Sequence, residues 1–378
     1  MRRKVMLEEV IWVVKLSLFP VWSWPQPQNA TQFKLFCVKL HHCLCIIIKL
    51  ALILSLIYTI TNHFDDPEIL VNLAVLTSAF IHGSFNFFFH MVNHHHIQNV
   101  TFEMVHFSGL MKPHEEVLIQ RYIDKCMVYH GGSIFIFYFI TFVPIVMPFL
   151  TQQPFPLLAE YPFDVSYQPL FTIIYIHQSV ASILVTGQLC TNVFMALLLW
   201  FASAKFEILS EELGKVTNIR QLYKCIKKHQ ELLEYATEVA LVARPFAFTS
   251  ICCSMTSIIS TFLVLVTKQP IYMILQFMAM SLACITEVFM YTWAADHLIF
   301  MSQNVAQAAF NILGNNHLIN LTEIWKCLQI IIMRSQKPIK ISIPCFLPTL
   351  SLNYFTSYLS TILSYFTTLR VMMNNDNN

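Results

Sequence analysis

The sequence predicts an all-α membrane protein with seven transmembrane helices, and three observations carry that expectation. Hydrophobic residues make up 56% of its 378 positions and charged residues only 12%, against about 25% charged in soluble domains. Seven apolar stretches reach the roughly 20 residues that a helix needs to cross a bilayer core. Lysine and arginine are sorted to one side of those stretches, the pattern that cytoplasmic loops produce. The same composition excludes a disordered chain, and Gly 7 with Pro 16 excludes collagen-like or linker-dominated architectures. A net charge of +2 gives no basic footprint for nucleic acid.

In chain order, the N-terminal Met-Arg-Arg-Lys is basic, but Glu8 and Glu9 interrupt the apolar run behind it, so no cleaved signal is expected. Spans one to four are expected at 40–61, 69–92, 129–150 and 169–202, within residues 40–202. Residues 203–245 read as a cytoplasmic helical extension. There Leu209, Leu213, Val216, Ile219, Leu222 and Ile226 recur at three- and four-residue spacing, continued by Leu232, Leu233 and Ala236. That stripe needs apolar partners, either in a hairpin of one chain or, as we expect, in a contact between subunits. Spans five and six follow at 246–267 and 271–293, within 246–293. A cytoplasmic anchor segment covers 294–345, in which the amphipathic stretch 318–333, with Glu323 and Lys326 inside it, reads as a buried helix. Span seven is expected at 346–372, and residues 1–378 form one domain.

Orientation follows from the cations. Arg2, Arg3, Lys4, Lys15 and Lys34 precede span one; Lys112, Arg121 and Lys125 lie between spans two and three. Lys205, Lys215, Arg220, Lys224, Lys227, Lys228 and Arg244 lie between spans four and five, and Lys326, Arg334, Lys337 and Lys340 between six and seven. The opposite side has only Lys268 and Arg370. The N-terminus is therefore expected in the cytoplasm and the C-terminus outside. The sequons at Asn29, Asn99 and Asn320 then fall inside, where they are silent. The 11 cysteines avoid the outer loops, and Cys43-x-Cys45 and Cys252-Cys253 lack zinc spacing.

Span seven is the most informative segment. Asn353, Ser357, Ser360 or Thr361, Ser364, and Thr367 or Thr368 draw a hydroxyl stripe along one helix face. Such a stripe packs against a neighbouring helix or faces water. If it lines a pore, the absence of Asp and Glu from this span implies poor discrimination among small cations.

Glu287 in span six is an ionisable group at membrane depth, which marks a partner or a water path. Lys49 in span one is a candidate counter-ion; the alternative puts both near the inner interface, Glu287 solvated and Lys49 snorkelling. His90, His94, His95 and His96 include an i, i+4 pair of zinc spacing, but without a nearby acidic or cysteine ligand they read as a solvated turn, and no metal site is expected. Leu76, Phe80, Phe139, Phe142, Tyr175, Gln178, Ile183, Tyr272, Gln276 and Phe277 fall in the outward halves of spans two, three, four and six. They suit either a pocket for a small lipophilic ligand or plain aromatic packing between helices.

No phosphate loop, His-Glu-x-x-His or Gly-x-Ser-x-Gly is present, so neither enzymatic activity nor a cofactor is expected. A G-protein-coupled receptor would put its N-terminus outside, and its Asp-Arg-Tyr and Asn-Pro-x-x-Tyr marks are missing. A secondary transporter built from duplicated halves would show repeats, and none is seen.

Several segments together resemble the insect odorant receptor family. They are Arg334-Ser-Gln-Lys-Pro338, Ser351-Leu-Asn-Tyr-Phe355 and Ser364-Tyr-Phe-Thr-Thr-Leu369; Glu287-Val-Phe-Met-Tyr-Thr-Trp-Ala-Ala-Asp-His-Leu298 with Asn304-Val-Ala-Gln-Ala-Ala-Phe310; Tyr161-Pro-Phe-Asp164; and His229-Gln-Glu-Leu-Leu233. The resemblance implies a chain in the cell membrane of olfactory sensory neuron dendrites that binds a small volatile odorant. It further implies a ligand-gated, weakly selective cation channel in a heteromer, a tetramer with a shared co-receptor subunit, in contact with membrane lipid. Span seven would line its pore through Ser357, Thr361 and Ser364, with the outer gate near Thr368 and Met372. Two departures stand out: a hydroxyl at Thr368 where the family is apolar, and Asn311-Ile-Leu-Gly-Asn-Asn316 where the family carries a tryptophan motif. The fourth-to-fifth loop is shorter than the co-receptor's, which points to a ligand-tuning subunit. The gustatory receptors are the nearest alternative within this class.

Overall fold

The computed structural model describes residues 6–27, 29–150, 153–266, 271–313, 322–344, 346 and 348–376. Ten α-helices account for nearly all of it: α1 Leu7–Ser17, α2 Gln32–Asn62, α3 Pro67–Val92, α4 His94–Leu110, α5 Pro113–Leu150, α6 Leu170–Gly214, α7 Ile219–Val266, α8 Ile271–Leu313, α9 Thr322–Ser335 and α10 Leu352–Asp376. No strand occurs among the described residues. Six of the helices, α2, α3, α5, α6, α7 and α8, are long and apolar enough to cross a membrane. The seventh expected span is α10, which starts at Leu352 rather than 346, because residues 336–344 and 348–351 run irregularly and tie back through the Leu350 N–H to the Ile341 carbonyl at 2.9 Å.

α6 is the axis of the fold. From Leu184 to Phe206 almost every side chain is buried whichever way it points, as expected of a helix that is apolar all round. α3, α5, α7 and α8 surround it, α2 packs outside α3 and α6, and α10 lies against α7 and α8. Two glycines allow close approach here. A Cβ on Gly187 would stand 2.8 Å from a Val21 methyl carbon, and one on Gly83 would stand 2.9 Å from the Gln188 side-chain oxygen.

At 45 and 48 residues, α6 and α7 are about 70 Å long at ~1.5 Å per residue, twice the bilayer core. Their excess forms the expected extension as a hairpin turning at 215–218. Its stripe is consumed within the chain: Leu209, Leu213, Leu222, Leu232 and Ala236 are buried in the main core, with Val216, Ile219, Ile226 and Leu233 packed against it. Much of the stripe that was expected to meet another subunit is thus covered within the chain, while Val216, Ile219, Ile226 and Leu233 stay half-buried. Tyr122 donates to Glu207 at 2.6 Å, and Lys228 pairs with Glu212 at 2.5 Å, fixing the hairpin against α5 and against itself.

α1 and α4 were not anticipated. α1 is amphipathic and buries Leu7, Ile11 and Val14 against α4, α5 and α6; α4 buries Ile97, Val100 and Met104. α9 matches the expected buried helix, with Ile324, Leu328 and Ile331 facing inward. Gly314, Asn315, Asn316 and Lys268 lie outside the described residues.

Candidate functional site

A buried polar knot lies where α3, α6, α7 and α8 meet. Glu287 of α8 is 4% exposed, so its expected solvation at an interface is corrected. Its Oε1 accepts from Asn192 Nδ2 at 2.5 Å and from the Ser250 hydroxyl, and His82 Nε2 stands 3.5 Å away. Tyr291, one turn along α8, donates to Asn192 Oδ1 at 3.0 Å. Lys49 is not the counter-ion. Its ammonium donates to Gln188 Oε1 at 3.1 Å and sits 4.6 Å from the centre of the Phe87 ring. A buried carboxyl group is tolerable when hydrogen-bonded, and here the bonds come from two neighbouring helices.

From this knot α7 leads to α10. Ser254, one turn beyond Ser250, meets the Tyr358 hydroxyl at 2.7 Å. Around it α10 is fixed by apolar contacts: Ile362 is buried, the Phe366 ring lies tilted with its centre 4.5 Å from that of Phe262, and Phe355 lies 5.3 Å from Phe289. At 3.6 residues per turn, Ser357, Thr361, Ser364 and Thr368 fall within a roughly 60° arc, on the side away from these contacts. All four are exposed. Their hydroxyls are satisfied by the helix itself where bonds are formed, as from Thr361 to the Ser357 carbonyl at 2.9 Å and from Thr368 to the Ser364 carbonyl at 2.9 Å. Packing of the stripe against a helix of the same chain is thereby excluded. The Met372 side chain lies outside the described residues.

The ends of α2 and α3 and the loop 153–165 form one end of the bundle. A cavity of about 390 Å³ opens there, lined by Tyr58, Asn62, Phe155, Leu158, Glu160, Tyr161 and Val165, among others. His63 Nε2 and Asn62 Nδ2 bond the two Glu160 oxygens at 2.7 and 3.1 Å, and the His63 bond in particular holds this carboxyl below its usual range. Gln178, fully buried on α6, secures the loop: its oxygen accepts from the Leu157 N–H at 2.9 Å and its nitrogen donates to the Tyr161 hydroxyl at 3.2 Å. Ile174, Gln178, Ala181 and Val185 share one buried face at helical spacing.

The expected ligand-lining residues divide into groups. Leu76 and Phe80 pack with Leu52, Leu56, Ala181 and Val185 beneath Ala159 and Leu157, next to Gln178. Tyr175 instead bonds the Ile145 carbonyl at 2.5 Å and meets Phe149 edge-on. Phe277 is buried with Val75 and Val264 in a separate cluster. Phe139 (55% exposed), Phe142 (63%), Ile183 and Gln276 face outward, and the Tyr272 side chain lies outside the described residues. None of these lines the cavity. Sequence reasoning missed its walls because Tyr58 and Asn62 sit at the very end of a span and the rest is loop. The Tyr161-Pro-Phe-Asp164 segment was the one available signal.

The sequence matches the family model described as 7tm Odorant receptor over residues 67–363. No curated protein matches it. Among solved structures, the insect olfactory receptor OR5 from Machilis hrabei in complex with eugenol superposes with a TM-score of 0.82 at 17% identity, covering 97% of this chain and 98% of that one. A second structure of the insect olfactory receptor OR5 from Machilis hrabei gives a TM-score of 0.78, again at 17% identity, covering 96% of this chain and 98% of that one.

Proposed function

This chain belongs to the odorant receptor family, and from that premise we propose that it is a ligand-tuning subunit that binds a small volatile or lipophilic molecule and opens a weakly selective cation pore together with a co-receptor subunit. The observation that carries the pore reading is the α10 stripe. Ser357, Thr361, Ser364 and Thr368 are polar, evenly spaced and turned away from the rest of their own chain, which suits a helix that meets water between subunits. With no carboxylate on that stripe, small cations pass without strong discrimination. The same reading puts Met372 near the outer mouth, the N-terminus in the cytoplasm and the C-terminus outside. The residence is the dendritic membrane of an olfactory neuron.

For the ligand, we place the pocket in the outer half of the bundle around Leu76, Phe80, Tyr175 and Gln178, with Phe139, Phe142, Ile183, Tyr272 and Gln276 on its approaches. Aromatic and aliphatic walls with one amide suit a small lipophilic ligand, and the eugenol held by the structurally similar OR5 supports a ligand of that size class. The cavity under loop 153–165 then serves as an outer vestibule, separated from the pocket by Gln178.

Co-expression with a co-receptor subunit and voltage-clamp recording over an odorant panel tests the proposal. Odorant-evoked currents that need both subunits and reverse near 0 mV in mixed monovalent cations are expected. Responses that survive without any co-receptor, or that require a G protein, would overturn it.

A further inference from the structure

The histidines at the α3–α4 turn do not gather on one ion. His95 and His96 are exposed, as a solvated turn requires, whereas His90 is buried at 5% exposure, which corrects that part of the sequence reading. Among the described residues only His114, Glu115 and Glu212 bring three ligand atoms within 4.8 Å of one another, and there the Lys228 ammonium already holds Glu212 at 2.5 Å.

The outer cavity under loop 153–165 carries more. Glu160 is the one charged side chain among its described lining residues, and α2 fixes it at three points. The Thr59 hydroxyl accepts from the Glu160 N–H at 2.7 Å, Asn62 donates to Oε2 at 3.1 Å, and His63 Nε2 bonds Oε1 at 2.7 Å. At spacing i, i+3 and i+4 these three share one face of the helix end. His63 is not itself part of the lining. A carboxylate accepts at about four lone-pair positions, so two side-chain bonds leave room for a further donor, and the Glu160 side chain is 45% exposed. The bonds from His63 and Asn62 hold the carboxyl below its ordinary range, so it is ionised at neutral pH. No Lys or Arg occurs between Lys49 and Lys112 or between Lys125 and Lys205. The two segments that build the cavity therefore bring no permanent cation to it. The rest of the lining is largely apolar and includes the rings of Tyr58, Phe155 and Tyr161.

A pre-positioned carboxylate with no Lys or Arg partner, set among aromatic rings in a cavity of about 390 Å³, fits one ligand chemistry: an ammonium group on a small apolar body. We propose that this cavity is a binding site for small protonated amines, with the ammonium on Glu160 and the apolar part against the aromatic and aliphatic wall. An ammonium gives the carboxylate a charge-assisted hydrogen bond and is attracted to the faces of aromatic rings. The volume lies within the roughly 300–1,000 Å³ usual for small-molecule sites. A carboxylic acid of the same shape, ionised at neutral pH, is repelled by the same group. The inference deepens the vestibule reading made above and rests on it: the entrance to the pocket selects by charge, and the deeper pocket by apolar shape.

The test is ligand-observed NMR titration of the purified full-length chain in detergent at about pH 8, where an alkylammonium keeps its proton. Three probes of one shape are compared: 2-phenylethylammonium, 2-phenylethanol and phenylacetate. The ammonium should bind the wild type at least about 10-fold more tightly than phenylacetate. Glu160→Gln should weaken the ammonium by about 10-fold, as expected for the loss of one charge-assisted bond, and the alcohol by less than about 2-fold. Leu76→Trp, which narrows the deeper pocket, should spare the ammonium. Equal binding of ammonium and phenylacetate to the wild type overturns the proposal, and that comparison needs no variant to fold. So does ammonium binding that Glu160→Gln leaves unchanged, that falls together with the alcohol's, or that is lost in Leu76→Trp. Current plays no part in this readout, so a failed channel reading, seen in the voltage-clamp recordings, is distinguishable from a failed amine site.

Discussion

The Tyr358 hydroxyl and the Ser254 hydroxyl meet at 2.7 Å and join the α10 helix to α7 at the level where α7 also holds Glu287. Ser254 has a second bond, to the Ile251 carbonyl at 2.7 Å, so removing the tyrosine oxygen leaves no orphan behind. Tyr358→Phe should therefore cost only about 1 kcal/mol of local packing free energy and leave surface protein unchanged. Its expected effect is on the α10 position: a several-fold shift in the ligand concentration for half-maximal current. An unaltered dose–response curve would show that the pair only holds the fold.

A second prediction concerns the stripe itself. Ser364→Asp and Thr368→Asp place a carboxylate on exposed positions, where folding tolerates charge. In a heteromer whose pore these residues line, both should raise relative permeability to divalent cations and move the reversal potential. Unchanged reversal potentials for both variants, with currents intact, would remove α10 from the pore.

Glu287 can be tested by acceptor chemistry. Asn192 and Ser250 both donate to its Oε1. Glu287→Gln keeps an oxygen acceptor and should be tolerated, whereas Glu287→Leu leaves two buried donors to share His82 Nε2, at 3.4 Å from Asn192 Nδ2 and 3.3 Å from Ser250 Oγ, so that at least one loses its partner at about 1–3 kcal/mol. Thermal melting of the detergent-solubilised receptor should rank the wild type and Gln together, with Leu well below. A Leu variant as stable as the wild type would mean that His82 Nε2 or water takes over as acceptor for Asn192 and Ser250.

How much of this was legible in the sequence depends on what each residue has to do. Span positions followed from apolar run length, which lipid imposes on the whole segment, and the α10 stripe followed from side-chain spacing alone. Partner choice did not follow: Lys49 and Glu287 are the obvious pair by charge, yet Lys49 is served by Gln188 and the Phe87 face, and Glu287 by neutral donors. Neither polar residue carries a signal for which helix will be its neighbour. The same limit applies to α1, whose Glu8 and Glu9 broke an apolar run. They also spoke for a helix start, since Glu9 accepts from the Met6 N–H at 3.1 Å.

The last prediction concerns pH at the loop 153–165. Glu160 has its pKa lowered in the fold by His63, then by Asn62. A carboxyl with a depressed folded pKa adds stability above its unfolded value, and that contribution fades as pH falls from about 4.5 toward the lower folded value. Asp164 has the same sign through its bonds from Ser166, so the loop should loosen in acid and not in base. Both carboxyls are solvent-exposed, which keeps the effect small and local. Pepsin, active in this range, should cut near Phe155 and Leu158 faster as pH drops from 4.5 to about 3, relative to a denatured substrate of the same sequence. Glu160→Gln should lose much of that dependence, while Gln178→Leu, which unpins Leu157 and Tyr161, should be cut readily at every pH. A wild-type loop whose relative cutting rate is flat across the range would mean that Gln178 alone holds it down.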